Sequence, residues 1–209
     1  MNKAETVAYL RFLGACKGAL SWVEDQPEDS TPKTLWDTCP RADWVFWAAE
    51  KAGVAKQVLQ RTATACYRHA YEALDPNDVT PADRDMILKA LRLTSGAATA
   101  EDLAGREELT KWAGAHANTC GPGRWAYHMR RGALCLLRLS SLDVVGDSSL
   151  GVMRAVYAVD EAEGRGYDYP DASEEAHAQV LAVLRAHSPW EAVDAVFGGE
   201  KATPGGGAS

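Results

Sequence analysis

The sequence predicts an all-α fold, a compact bundle of about nine or ten helices in orthogonal or solenoid-like packing. Three observations carry that expectation. Alanine is abundant while β-branched runs are nearly absent, a balance that favours helix over strand. Apolar residues recur at three- and four-residue steps and never alternate over a strand's length. Helix-start residues (Thr-Pro, Ser and Asp) and helix-stop residues (Gly and Pro) punctuate the chain at matching intervals.

Taken in order, the first helix is expected from Ala4 to Val23, with Val7, Leu10, Leu13, Cys16, Leu20 and Val23 along one stripe. Thr31-Pro32 opens a short helix to Thr38, because proline presets φ where no N–H is needed, and Pro40 stops it. A helix from Arg41 to Ala52 follows, with Gly53 as its C-terminal cap. Residues 54–74 form a longer one, with Val58, Leu59, Cys66, Ala70 and Leu74 inward. Thr80-Pro81-Ala82-Asp83 resembles a capping box, with aspartate where glutamate is usual, and starts a helix ending near Ser95-Gly96. Thr99 and Asp102 repeat the pattern for a helix reaching Ala117. Asn118 to Gly123 is a break.

The helix from Arg124 to Ser141 is the most apolar, and Ala133–Leu142 reads as the buried centre. Another spans Ser148–Glu163, weakened by Gly151, before an aromatic loop with Tyr167, Tyr169 and Pro170. Ser173–His187 carries Glu174 and Glu175 in its first turn and Arg185 and His187 in its last, matching the helix dipole. Ser188-Pro189-Trp190-Glu191 caps a last helix to Phe197. Residues 1–197 thus read as one all-α domain with an acidic subregion at 143–197, and 198–209 as a flexible Gly-rich tail.

Charge is unevenly spread. Residues 1–142 carry 18 Lys and Arg against 17 Asp and Glu, a net of +1; residues 143–209 carry 4 against 12, a net of −8. That argues against nucleic-acid binding and suits either a solvated surface or a basic protein partner. No apolar stretch approaches the roughly 20 residues of a membrane span, and Arg11 and Lys17 interrupt any signal-peptide core. A cytoplasmic protein is expected. Five cysteines with no CxxC pair fit that compartment, with Cys16, Cys66 and Cys135 read as buried free thiols.

The densest feature is Trp36-x2-Cys39-x-Arg41-x-Asp43-Trp44-x2-Trp47. Trp44 and Trp47, three apart on a helix, share a face. Two readings stay open. In one, Trp36, Arg41, Asp43, Trp44 and Trp47 form an aromatic binding pocket whose Arg/Asp pair orients a polar ligand. In the other, Asp43 caps the helix or pairs with Arg41, and the tryptophans close a helix corner.

The same residues carry a resemblance. With Leu13-Gly-Ala-Cys16, Ala19-Leu-Ser-Trp22, Asp83-Arg84, Ala90-Leu91 and Gly96–Asp102, the motif is similar to a small family of helical proteins encoded by phages and bacteria. Some members are described as immunity proteins. The likeness covers roughly residues 10–140; Asp85 stands where that family has a proline, and Leu93 near its tryptophan. What it implies is an α-helical protein that acts by binding another protein.

Other chemistry is thinly represented. GxSxG, HExxH, the P-loop and GxGxxG are all missing, so no catalytic residue and no cofactor are assigned. Cys66-x2-His69 and His116-x3-Cys120, with His128 nearby, have helical ligand spacing but make no four-ligand set, so no metal is assigned. Cys39 could have its pKa lowered by Arg41 and a helix N-terminus. Arg124, Arg131 and Arg138 stand seven apart, with His128 and Cys135 between. That polar stripe reads as a receiver of phosphates or a partner's carboxylates, as a solvent edge, or as a dock for the acidic third. The expected function is a non-enzymatic interaction protein, an immunity or counter-defence inhibitor. The alternatives are a small-ligand-binding domain or enzyme using the Trp/Arg/Asp cluster, and a virion or assembly subunit that self-associates.

Overall fold

Twelve helices and no strand make up the described part of the chain, as the all-α expectation requires. The computed structural model describes residues 1–115, 124–140, 148–162, 172–188 and 190–197, without the side chains of 115, 124, 125, 138–140, 148–150, 161 and 195–197. The helices are α1 (Lys3–Phe12), α2 (Lys17–Glu24), α3 (Pro32–Thr38), α4 (Ala42–Lys51), α5 (Lys56–Glu72) and α6 (Pro81–Ser95). There follow α7 (Ala100–Ala104), α8 (Arg106–Ala115), α9 (Arg124–Ser140), α10 (Ser148–Ala162), α11 (Glu174–His187) and α12 (Trp190–Phe197). The break expected at 118–123, the aromatic loop, the Gly-rich tail and His116-x3-Cys120 lie outside the described residues.

Two helices expected to be continuous are broken. The first stops at Phe12 because Gly14 takes φ +84° and the Ala15 N–H closes onto the Leu10 carbonyl, a six-residue C-terminal closure. The chain restarts at Lys17, which leaves Cys16 exposed at the start of α2 instead of buried on the stripe. The second breaks at Gly105, which ends α7 after five residues.

Three of the expected caps act as read. Thr31 and Ser173 accept from the N–H groups three residues on, and Thr99 with Asp102 closes a full capping box. Asp83 departs from that scheme. Thr80 Oγ accepts from the Asp83 N–H and donates to Asp83 Oδ2, while Oδ1 accepts from Arg130 Nη2 at 2.6 Å and Trp112 Nε1 at 3.2 Å. The short aspartate therefore ties α6 to α8 and α9.

The main core is organised round α5, α9 and α10, with α4, α6 and α11 packed against them. Ala133–Leu137 of α9 is buried, as expected; so is α10, through Val152, Ala155, Val156, Ala158 and Val159. Glycine makes this packing close. A Cβ on Gly132 would stand 2.9 Å from the Tyr67 ring, and one on Gly151 would stand 3.2 Å from Cys135 Cβ. Gly151 is thus the contact point of α10 with α9, at the cost of some helix propensity. Tyr67 is fully buried and donates to the Met129 carbonyl at 2.8 Å.

A second, small apolar cluster joins Val7, Leu10, Val23 and Leu35, so α1 and α2 pack partly on their own core. Lys3 crosses this pair, donating to the carbonyls of Glu24 and Gln26 and pairing with Glu28 at 2.8 Å. The space between that small core and the main one contains the candidate site.

Candidate functional site

Pro40 separates α3 from α4, and the break sets the geometry of the tryptophan corner. Trp36, near the end of α3, is buried against Trp190 of α12, with ring centres 6.1 Å apart. Phe46 and Ala49 of α4 enter the main core. Trp44 and Trp47 are half-buried and face α1 and α2. The indole of Trp44 lies over Gly18 of α2, where a Cβ would approach to 3.2 Å.

These helices line a half-open cavity of about 70 Å³. Five of the chain's seven tryptophans (Trp22, Trp36, Trp44, Trp47 and Trp190) line it, with Leu10 and Ala19 on one side and Leu35, Val45 and Ala48 on the other. No lining residue is charged. The other polar liners, Thr6 and Cys39, turn their donors to the carbonyls of Asn2 and Arg41.

Of the five expected site residues, Trp36, Trp44 and Trp47 meet at the cavity, while Arg41 and Asp43 are absent from its lining. Arg41 Nε and Nη2 instead fork onto the Asp43 carboxylate at 3.0 and 3.3 Å, and the guanidinium stands 5.3 Å from the Trp44 ring centre. The charges of the pair answer each other, and the guanidinium braces a tryptophan of the wall.

Three anchors from the C-terminal third hold the corner, and none was visible in the sequence. His177 of α11 accepts the Ala42 N–H at 3.3 Å and so caps α4, whose own N-cap residue Arg41 makes no side-chain cap bond. Arg185 donates from Nη2 to the carbonyls of Trp36 and Cys39 at 2.8 and 3.0 Å, completing the C-terminal end of α3. Trp190 supplies the ring against Trp36. Periodicity marks Arg185 only as a dipole partner of its own helix. Nothing local signals contacts to residues 135–154 positions away.

Burial bears on the cysteine candidates. The Cys39 thiol is pushed up to about 11, because burial disfavours the thiolate more than the Arg41 backbone and the nearby arginines favour it. This reverses the expectation of a lowered pKa. Cys66, buried in α5, is pushed up to about 12 by the same cause and is a core thiol. No group of three or more metal-ligating side chains occurs among the described residues. Of the expected polar stripe on α9, Arg131 is half-buried while His128 and Cys135 are buried, and Arg154 Nη1 lies 3.3 Å from His128 Nδ1. The side chains of Arg124 and Arg138 lie outside the described residues. Among the described side chains of α9, Arg130 pairs with a carboxylate, that of Asp83 in α6, outside the acidic third.

Alkylation tests this ordering. At pH 8 in native buffer, exposed Cys16 is expected to react with iodoacetamide, and Cys39, Cys66 and Cys135 only after denaturation. Peptide mass spectrometry reads the sites; native labelling of Cys39 at the rate of Cys16 would contradict the burial argument.

No helix of the described residues is long and apolar enough to cross a membrane. Comparison of the chain with protein families, curated proteins and solved structures gives no match.

Proposed function

We propose that this chain acts by binding rather than by catalysis, as a helical interaction protein of the immunity or counter-defence type that seats an apolar group of a partner protein in its tryptophan cavity. The observation that supports this most is the cavity itself: five tryptophans around an uncharged space, braced by buried contacts from three parts of the chain. Tryptophan is enriched among the residues that dominate binding energy, in pockets at the centre of interfaces. The enzyme alternative loses its proposed pair, since Arg41 and Asp43 are committed to each other and Cys39 is held as a thiol. The resemblance of the Trp36–Trp47 motif to phage and bacterial immunity-type proteins points the same way.

The test is affinity capture of the tagged chain from a lysate of its native host, read by native mass spectrometry. One near-stoichiometric foreign protein is the expected result. Recovery of the chain alone would contradict the proposal, and recovery only with itself would favour an assembly subunit.

A further inference from the structure

We infer that the α9–α10 face is a site for a phosphate monoester group, with Arg131 and Arg154 as its two cations beside Tyr127 and His128. None of these residues lines the tryptophan cavity, and the site stands independently of the binding reading above.

Most half-buried arginines of the fold are matched to an oxygen. Arg41, Arg92 and Arg130 pair with the carboxylates of Asp43, Asp102 and Asp83. Arg106 donates to the carbonyl of Leu137, and Arg185 to those of Trp36 and Cys39. Arg131 and Arg154 are half-buried as well, yet among the described residues neither meets an oxygen acceptor. Each gives up part of its hydration without the compensation that the other five have.

The two arginines share one face. Gly132 brings α10 close, since a Cβ there would stand 3.6 Å from Arg154 Cβ. From that point Arg154 Nη1 donates to His128 Nδ1 at 3.3 Å. Its guanidinium stands 5.1 Å from the Tyr127 ring centre and 5.9 Å from that of Tyr157, and its Nε is enclosed with no acceptor. Arg131 follows Tyr127 by four residues and His128 by three, so it leaves α9 from the face that both turn to Arg154.

Charge selects the ligand. A histidine nitrogen that accepts from a guanidinium carries no proton, so His128 is neutral and cancels nothing. Tyrosine faces attract the Arg154 cation but leave its charge in place. Asp160, the buried carboxylate further along α10, is engaged by the Ser173 hydroxyl and N–H. Two positive charges therefore stand together with no carboxylate paired to either among the described residues. A carboxylate ligand would cancel one of them. A phosphate monoester carries about −1.5 to −2 charge on three acceptor oxygens, which answers both guanidinium groups at once.

The experiment titrates the ¹⁵N-labelled full chain at constant ionic strength and follows the arginine Nε–H signals by NMR. A pH of about 6.5 lies above the second pKa of a phosphate monoester, near 6. The probes are methyl phosphate, N-acetyl-O-phosphotyrosinamide, glucose 6-phosphate and acetate. The three phosphates are expected to move the Arg131 and Arg154 signals saturably, while Arg130, held by Asp83, and exposed Arg61 and Arg68 stay in place. Acetate should bind at least about tenfold more weakly. Arg131→Gln removes a side chain that joins no pair among the described residues, so it should weaken phosphate binding at least about tenfold with Tm unchanged. Arg131→Lys should recover part of that loss, and Arg154→Gln should abolish saturation.

Tighter binding of the phosphotyrosine amide than of glucose 6-phosphate would support the site and identify a phosphorylated protein as the source. The reverse order would support it and identify a phosphorylated small molecule. No saturable shift with any phosphate would overturn the inference, as would an equal response of Arg61 and Arg68, which marks general ion screening. Equal affinity for acetate would overturn the choice of phosphate. Saturable binding that survives in both glutamine variants would put the anion elsewhere and overturn the site.

Discussion

Asp83→Ala is expected to lower the unfolding free energy by about 3 kcal/mol, the lower end of the cost of breaking a buried ion pair from one side. Asp83 and Arg130 retain only 10% and 18% of their side-chain exposure, and the guanidinium would be left without its carboxylate. Trp112 Nε1 and the Thr80 hydroxyl lose their acceptor in the same step. Asp83→Asn should cost less, because the amide still accepts hydrogen bonds but carries no charge. Urea unfolding of the three proteins measures the series, and a change within ~0.5 kcal/mol for the alanine variant, the range of ordinary surface substitutions, would show the network to be ornamental.

The same network has a pH signature. Burial pushes the Asp83 carboxyl up, but hydrogen bonds from Arg130, Thr80 and Trp112 outweigh it and hold the group below the usual carboxylate range. A carboxylate with a depressed folded-state pKa contributes stability above its unfolded pKa and loses it as pH falls through the folded value. Wild type should therefore lose stability below about pH 4 more steeply than Asp83→Ala, which has no such proton to take up. Parallel curves for the two proteins would contradict the assignment.

Trp36→Ala is the second large effect, expected at about 3–5 kcal/mol, the range for removing a buried aromatic side chain. Trp36 is 6% exposed, packs on Trp190 and walls the cavity, so its loss joins a new void to an existing one. For a chain of this size that corresponds to a fall in Tm on the order of 10 °C. Trp36→Phe, which keeps a ring against Trp190, should cost markedly less. Calorimetry with near-ultraviolet circular dichroism separates the outcomes: a stable Trp36→Ala protein with an unchanged aromatic spectrum would mean that the tryptophans are not coupled.

Much of the helix pattern was legible because caps are local. Thr31-Pro32, Thr99 with Asp102, and Ser173 with its acidic first turn each place a donor and acceptor within three residues. What the residues did not disclose depends on contacts distant in sequence. The apolar stripe from Val7 to Val23 runs past Gly14 without interruption, and only the left-handed glycine shows that two helices share it. Asp83 reads as an imperfect capping aspartate until Trp112 and Arg130, 29 and 47 residues away, supply its partners. The tryptophan cluster was found from composition and spacing alone. Its enclosure by Trp22 and Trp190, and its bracing by His177 and Arg185, were not, because those residues come from α2, α11 and α12. The structure joins Arg41 and Asp43 in one ion pair, an arrangement their two-residue spacing allowed.

The most direct test of the cavity as the binding seat is the affinity of the captured partner for wild type and Ala48→Leu, measured by titration calorimetry beside each protein's Tm. Filling the seat should weaken binding at least about tenfold, or about 1.4 kcal/mol, with little change in Tm. Equal affinity in a folded, cavity-filled variant would contradict the account.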